Sequence, residues 1–69
     1  MKFTYDKETD AAYILFVESA QVSETLDCAD VAQKVEGELL FDIDKDGHIV
    51  GIEILDAKDV LPDSLLQQS

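Results

Sequence analysis

Alternation of apolar and polar residues is the clearest organising signal along this chain. In "KFTYD", Phe3 and Tyr5 fall on one side, the period of a half-buried strand. "AAYILFVE" sets Ala11, Tyr13, Leu15 and Val17 opposite Ala12, Ile14 and Phe16. Both sides are apolar, as expected of a strand inside a sheet. The charged, turn-favouring "KETD" between them predicts a hairpin. Further on, "ELLFDID" aligns Leu39, Phe41 and Ile43, while "HIVGIEIL" aligns Val50, Ile52 and Ile54 with Glu53 on the other side. "KDG" lies between these two runs. Asp-Gly between alternating segments is a strong hairpin signal, because Gly47 accepts a positive φ without a Cβ penalty.

The intervening chain is less regular. "QVSETL" predicts a weak strand anchored by Val22 and Leu26. Over residues 27–37, "ADVAQKVE" fits two patterns: a short helix with Val31 and Val35 one turn apart, or an extended segment with Val31, Gln33 and Val35 on one side. The extended reading is preferred, since eight residues make a poor helix without tertiary support. The tail "DAKDVLPDSLLQQS" carries a helix start around Pro62, Asp63 and Ser64. Leu61, Leu65 and Leu66 share one side of its last turn or two, and they need cover from the sheet or from a neighbouring subunit. These leucines are the candidate partner-binding residues. The expected fold is α+β and mainly β: a small antiparallel sheet of four to five strands built from hairpins, with a short C-terminal helix. It forms one domain, with the sheet over residues 1–56 and the helical tail over 57–69.

Size and charge narrow the functional classes. A chain of 69 residues buries only about 60% of the surface its unfolded form exposes, so its core is marginal. Such chains are commonly reinforced by disulfides, a metal or self-association. Cys28 is the sole cysteine, which leaves the last two. Its neighbours in "LDCAD" are carboxylates that blunt thiol reactivity, so it reads as a small, half-buried apolar residue. "MKFTYDKETD" lacks the form of a secretory leader, no apolar run approaches the roughly 18 residues of a membrane span, and a lone free thiol suits a reducing compartment. The expected location is the cytoplasm. Sixteen acidic residues against five basic ones give a net charge of −11. That disfavours nucleic acid and anionic membranes as partners, and favours cations or a basic protein.

One segment raises a sharper question. "DIDKDGHIVGIE" matches the residue pattern of a calcium-binding EF-hand loop, with Asp42, Asp44, Asp46 and Glu53 as side-chain ligands, Gly47 at the bend and His48 offering its carbonyl. The flanks argue against it. An EF-hand loop is bracketed by helices, whereas "GELLF" before it is short and "GIEIL" after it is β-rich, with Gly51 where the exiting helix would begin. The preferred reading is a hairpin; a divalent-cation module using the Asp42–Glu53 loop is the alternative, and a weak site from Asp44 and Asp46 is its lesser form. No cofactor is expected. One histidine and one cysteine give no convincing nucleophile–base order, the three glycines are too scattered for a phosphate loop, and His48 at a turn reads as solvent-exposed. An enzyme is not expected, and carboxylates this abundant single out no pair for a hydrolase.

Two phrases, "MKFTYDKETDAAYILF" and "DIDKDGHIVGIEILDA", carry a resemblance. Tyr5, Asp6, Asp10, Tyr13 and Ile14, then Asp42, Asp44, Gly47, Val50, Gly51, Ile52, Glu53, Ile54 and Leu55, resemble the two ends of the small prokaryotic domain of unknown function twenty-two eighty-three. The resemblance covers about half of the chain and implies a compact, strand-rich domain with a short C-terminal helix. It implies no catalytic residues, and its acidic turn occurs in a family not known for calcium. Members are often encoded beside small basic proteins of toxin-like type, which implies an antitoxin-like role. "LDCADVAQKVEGE" is longer than the connection usual in that family. The functional expectation is a non-enzymatic domain acting by protein association: a homo-oligomer joined through its sheet edge or its Leu61, Leu65, Leu66 tail, with antitoxin-like binding of a basic partner as a secondary role, and no nucleic acid or membrane involved.

Overall fold

The computed structural model describes residues 1–67, without the side chains of Val31 and Ala32. Five antiparallel strands form one sheet: β1 (Lys2–Asp6), β2 (Ala11–Leu15), β3 (Glu24–Asp27), β4 (Glu38–Ile43) and β5 (Ile49–Leu55), in the order β1-β2-β5-β4-β3. The two expected hairpins form, and β2 pairs with β5 to join them. This places β2 and β5 inside the sheet, which accounts for the apolar residues on both sides of "AAYILFVE". "QVSETL" supplies the short edge strand β3, exposed along its whole length.

Residues 27–37 do not extend as a further strand. After β3 they enter a single helical turn, α1 (Ala29–Ala32), and then turns that lead into β4. A β3–β4 connection this long cannot close as a tight hairpin, and the turn shortens its path. The Val31 contacts on which either pattern relied lie outside the described residues. In the tail, two one-turn helices replace the single helix expected: α2 (Ala57–Val60) and α3 (Asp63–Leu66). Pro62 separates them, since it has no N–H to continue α2, and its carbonyl accepts the first bonds of α3 from Leu65 (3.0 Å) and Leu66 (3.3 Å). Residues 68 and 69 of the expected tail lie outside the described residues.

Cross-strand partners share a face up to the register shift at Asp42/Ile43, where Ile43 pairs with Ile49, and alternation along each strand sorts the remaining side chains. One face carries Phe3 and Tyr5, Ala12 and Ile14, Val50, Ile52 and Ile54, Leu39, Phe41 and Ile43, and Leu26, with Glu24 as its only carboxylate. The opposite face carries Asp6, Tyr13, Glu53, Glu38, Leu40, Asp42 and Asp27. α2 and α3 cover one end of the apolar face. Ala57 and Leu66 are buried there with Ala12 and Ile54, and Val60 and Leu61 pack around them. The sheet therefore supplies the surface that two of the tail leucines need. Leu66, only 7% exposed, belongs to the core of its own chain. Association through Leu66 would require that core to open, so Leu66 is not a ready partner contact. Leu65 stays half-buried.

Candidate functional site

The acidic turn is a five-residue loop between two strands. The Asp44 carboxylate accepts the backbone N–H groups of Asp46 and His48, both at 2.9 Å. Its backbone N–H donates to the His48 carbonyl at 2.9 Å, and its carbonyl accepts from Gly47 at 3.1 Å. Gly47 adopts φ 85, as the hairpin reading requires. The bond from the His48 N–H, with help from the Asp46 N–H and from the imidazole 3.5 Å away, holds the Asp44 carboxyl below its ordinary value against a smaller opposing effect of burial. His48 is solvent-exposed, as expected for a turn residue.

The four carboxylates of the calcium pattern do not converge. Asp42 and Glu53 lie on the open face of the sheet, one diagonal step apart, closer than a reading along the sequence suggests. Among the described residues, Asp44, Asp46 and His48 are the only group of three or more that brings potential ligand atoms within 4.8 Å of one another. The loop is flanked by strands, and the His48 carbonyl, which would face the ion in an EF-hand, is occupied by the ladder. Asp44 thus acts first as the organiser of its own turn.

Asp42 has a different task. The Tyr13 hydroxyl donates to one of its oxygens, and Thr25 donates to the other at 2.7 Å. This ties β2, β4 and β3 together across β5. The Tyr13 ring lies over Gly51, where a Cβ would come 2.8 Å from Cζ and 3.1 Å from Cε1. Glycine is required there because the ring occupies the space of a side chain. The bond to Asp42, then burial and the negative charges of Asp42 and Glu53, push the Tyr13 hydroxyl up to about 12. On the same face, hydrogen bonding with Asp27 and the nearby charges of Asp27, Asp56 and Glu53 raise the Glu38 carboxyl.

The first motif forms a second clasp. Asp10 ends the β1–β2 turn in the left-handed region, with φ 55. Its carboxylate accepts the Tyr5 hydroxyl at 2.7 Å and the Lys58 backbone N–H at 3.0 Å, while its carbonyl accepts the Ala57 N–H at 2.9 Å. One residue therefore anchors the start of α2 to the first hairpin. The Asp10 bond is also the main reason that the Tyr5 hydroxyl is raised. With Gly51 and Tyr13 on one side and Tyr5 and Asp10 on the other, the positions quoted for the resemblance have structural duties.

These duties fit the family comparison. The model of the family described as Protein of unknown function (DUF2283) matches residues 2–58. The chain belongs to that family. Comparison with curated proteins and with solved structures gives no match. In this DUF2283 domain the match covers the sheet and the first residues of α2, and stops short of α3.

One surface of the DUF2283 domain escaped the sequence reading. Phe16, Val17, Val22, Leu26 and Ile49 are between 37% and 51% exposed. Phe16, Val17, Val22 and Ile49 lie toward the end of the sheet away from α2 and α3, where β2 ends and β5 begins, and Leu26 lies farther along the edge strand β3, opposite Phe41. Glu18, Glu24, Asp44 and Asp46 belong to the segments around them, against Lys45 and Lys2, which pairs with Leu15 at the end of β2. Val22 and Leu26 were legible as apolar anchors, but nothing local shows that the tail leaves them uncovered. Among the described residues, no helix is long and apolar enough to cross a membrane.

Proposed function

We propose that this chain is a non-enzymatic association domain, and that it binds a basic protein partner through the uncovered end of its sheet. The observation that carries the reading is the exposure of Phe16, Val17, Val22 and Ile49 toward that end, with Leu26 exposed on the adjoining edge strand β3. Exposed apolar patches on small proteins mark interaction sites when polar groups rim them. The rim here is acidic and the whole chain carries −11, so a partner with cations around an apolar centre is complementary to it. The family resemblance points the same way, toward small basic proteins and an antitoxin-like role in the cytoplasm.

Self-association through the same end is the second reading, favoured by the near absence of carboxylates on the apolar face, where Glu24 stands alone. Salt separates the two. Screening weakens a complex between opposite charges and strengthens one between two copies of a −11 chain. The test is co-purification from the native host, followed by light scattering across a salt series. A basic protein that co-elutes, is released by salt and is lost from Phe16→Asp/Leu26→Asp would support the proposal. A mass that doubles with concentration and rises with salt would replace it with self-association. A partner retained equally by the double variant would overturn the assignment of the surface.

A further inference from the structure

The other end of the molecule holds a feature that runs against the charge of the chain. A pocket of about 420 Å³ opens between the β1–β2 turn and the tail, lined by Tyr5, Lys7, Lys58, Asp63, Leu66 and Gln67. Its volume lies in the range of small-molecule sites. The chain has five basic residues, all lysines, among sixteen acidic ones, yet two of the five line this one pocket. Neither Lys7 nor Lys58 forms an ion pair among the described residues. Two ammonium groups bordering one cavity make its lining more positive than the rest of a negative molecule.

The walls are held in place. Asp10 binds the Tyr5 hydroxyl and the Lys58 backbone N–H, so the strand that carries Tyr5 and the helix that carries Lys58 keep a fixed spacing. Leu66 packs into the core and gives the pocket an apolar wall beside the Tyr5 ring. Gln67 contributes an amide side chain. Asp63 is the one carboxylate in the lining, and it opposes a doubly charged ligand more than a singly charged one.

We propose that this pocket binds a small organic monocarboxylate, with the carboxylate between the ammonium groups of Lys7 and Lys58 and the apolar body against Tyr5 and Leu66. This site lies away from the protein-binding end and does not depend on it. The test is an amide NMR titration of the full chain with hexanoate, and separately with inorganic phosphate. Hexanoate produces saturable shifts concentrated at Lys7, Lys58 and Gln67, and binds more tightly than phosphate. Lys7→Gln and Lys58→Gln each weaken it by up to about fivefold, the worth of one partly exposed ion pair. Both side chains are exposed, so the variants keep the wild-type melting curve. Shifts that stay linear, spread equally to Lys34 and Lys45, or persist unchanged in the double variant overturn the site. Phosphate binding as tight as hexanoate overturns the role of the apolar wall.

Discussion

Replacing Gly51 with alanine tests the packing of the open face directly. A Cβ at this position would lie 2.8 Å from Cζ of Tyr13, well inside contact distance, so the ring must move. Movement forfeits the bond from the Tyr13 hydroxyl to Asp42. A lost hydrogen bond to a charged group and the strain of a crowded site together cost about 1–3 kcal/mol. In a domain this small, each kcal/mol lowers the melting midpoint by roughly 4–8 °C. The same substitution has the opposite sign once the ring is gone. In a Tyr13→Ala background the three atoms nearest the new methyl are gone, and alanine in place of a strand glycine gains roughly 0.5–1 kcal/mol. The assay is a double-mutant cycle by urea unfolding, comparing Gly51→Ala in both backgrounds. The reasoning predicts destabilisation in the first and mild stabilisation in the second. An equal effect in both would refute it, because the cost would then have no connection with the tyrosine.

Four further outcomes follow from the geometry. Asp10→Ala removes the acceptor for Tyr5 and Lys58 and puts alanine in the left-handed region, a loss of about 2–4 kcal/mol in urea unfolding, whereas Asp10→Asn keeps an acceptor and that backbone conformation and loses about half as much; equal losses would count against the clasp. Leu66→Ala opens the core and costs about 2–4 kcal/mol, while Leu65→Ala costs under about 1; a thermal melt showing the reverse would restore the tail as a free surface. Tyr13 is raised from 10 to about 12, so the fold favours its neutral form: that stability is complete below pH 10 and is lost as pH climbs through 12, and ultraviolet titration of Tyr13→Phe should lack the highest phenolate step. Millimolar calcium should leave the amide signals of Asp42 and Glu53 and the melting midpoint unchanged, since their carboxylates stay on the sheet; a large rise in the midpoint would reinstate the calcium loop.

Much of the second hairpin and its turn could be read locally. The alternation of Leu39, Phe41 and Ile43 with Val50, Ile52 and Ile54 is the face pattern of β4 and β5, because the period of a strand is a property of the backbone. The calcium-like spelling of the same stretch follows from the same chemistry: Asp44 caps its own turn and Gly47 accepts the positive φ. The clasps were not legible. Tyr13 and Asp42 stand 29 positions apart, and Asp10 and Lys58 stand 48 apart, so no window along the chain contains either pair. Residues 27–37 misled because a weak periodicity in a long connection fits a strand as well as a turn of helix.

By itself, the sequence determined where strands can form, which side of each is apolar, where the tight turn falls and how negative the surface is. These depend on neighbours within a few residues and on composition. Only the tertiary structure decided that β2 lies against β5, that Leu66 belongs to the chain's own core, that Phe16, Val17, Val22, Leu26 and Ile49 stay uncovered and that two lysines border one pocket. Each of these depends on which distant segments meet, and in a sheet ordered β1-β2-β5-β4-β3 that choice rests on burying the most apolar surface with every interior strand paired on both sides.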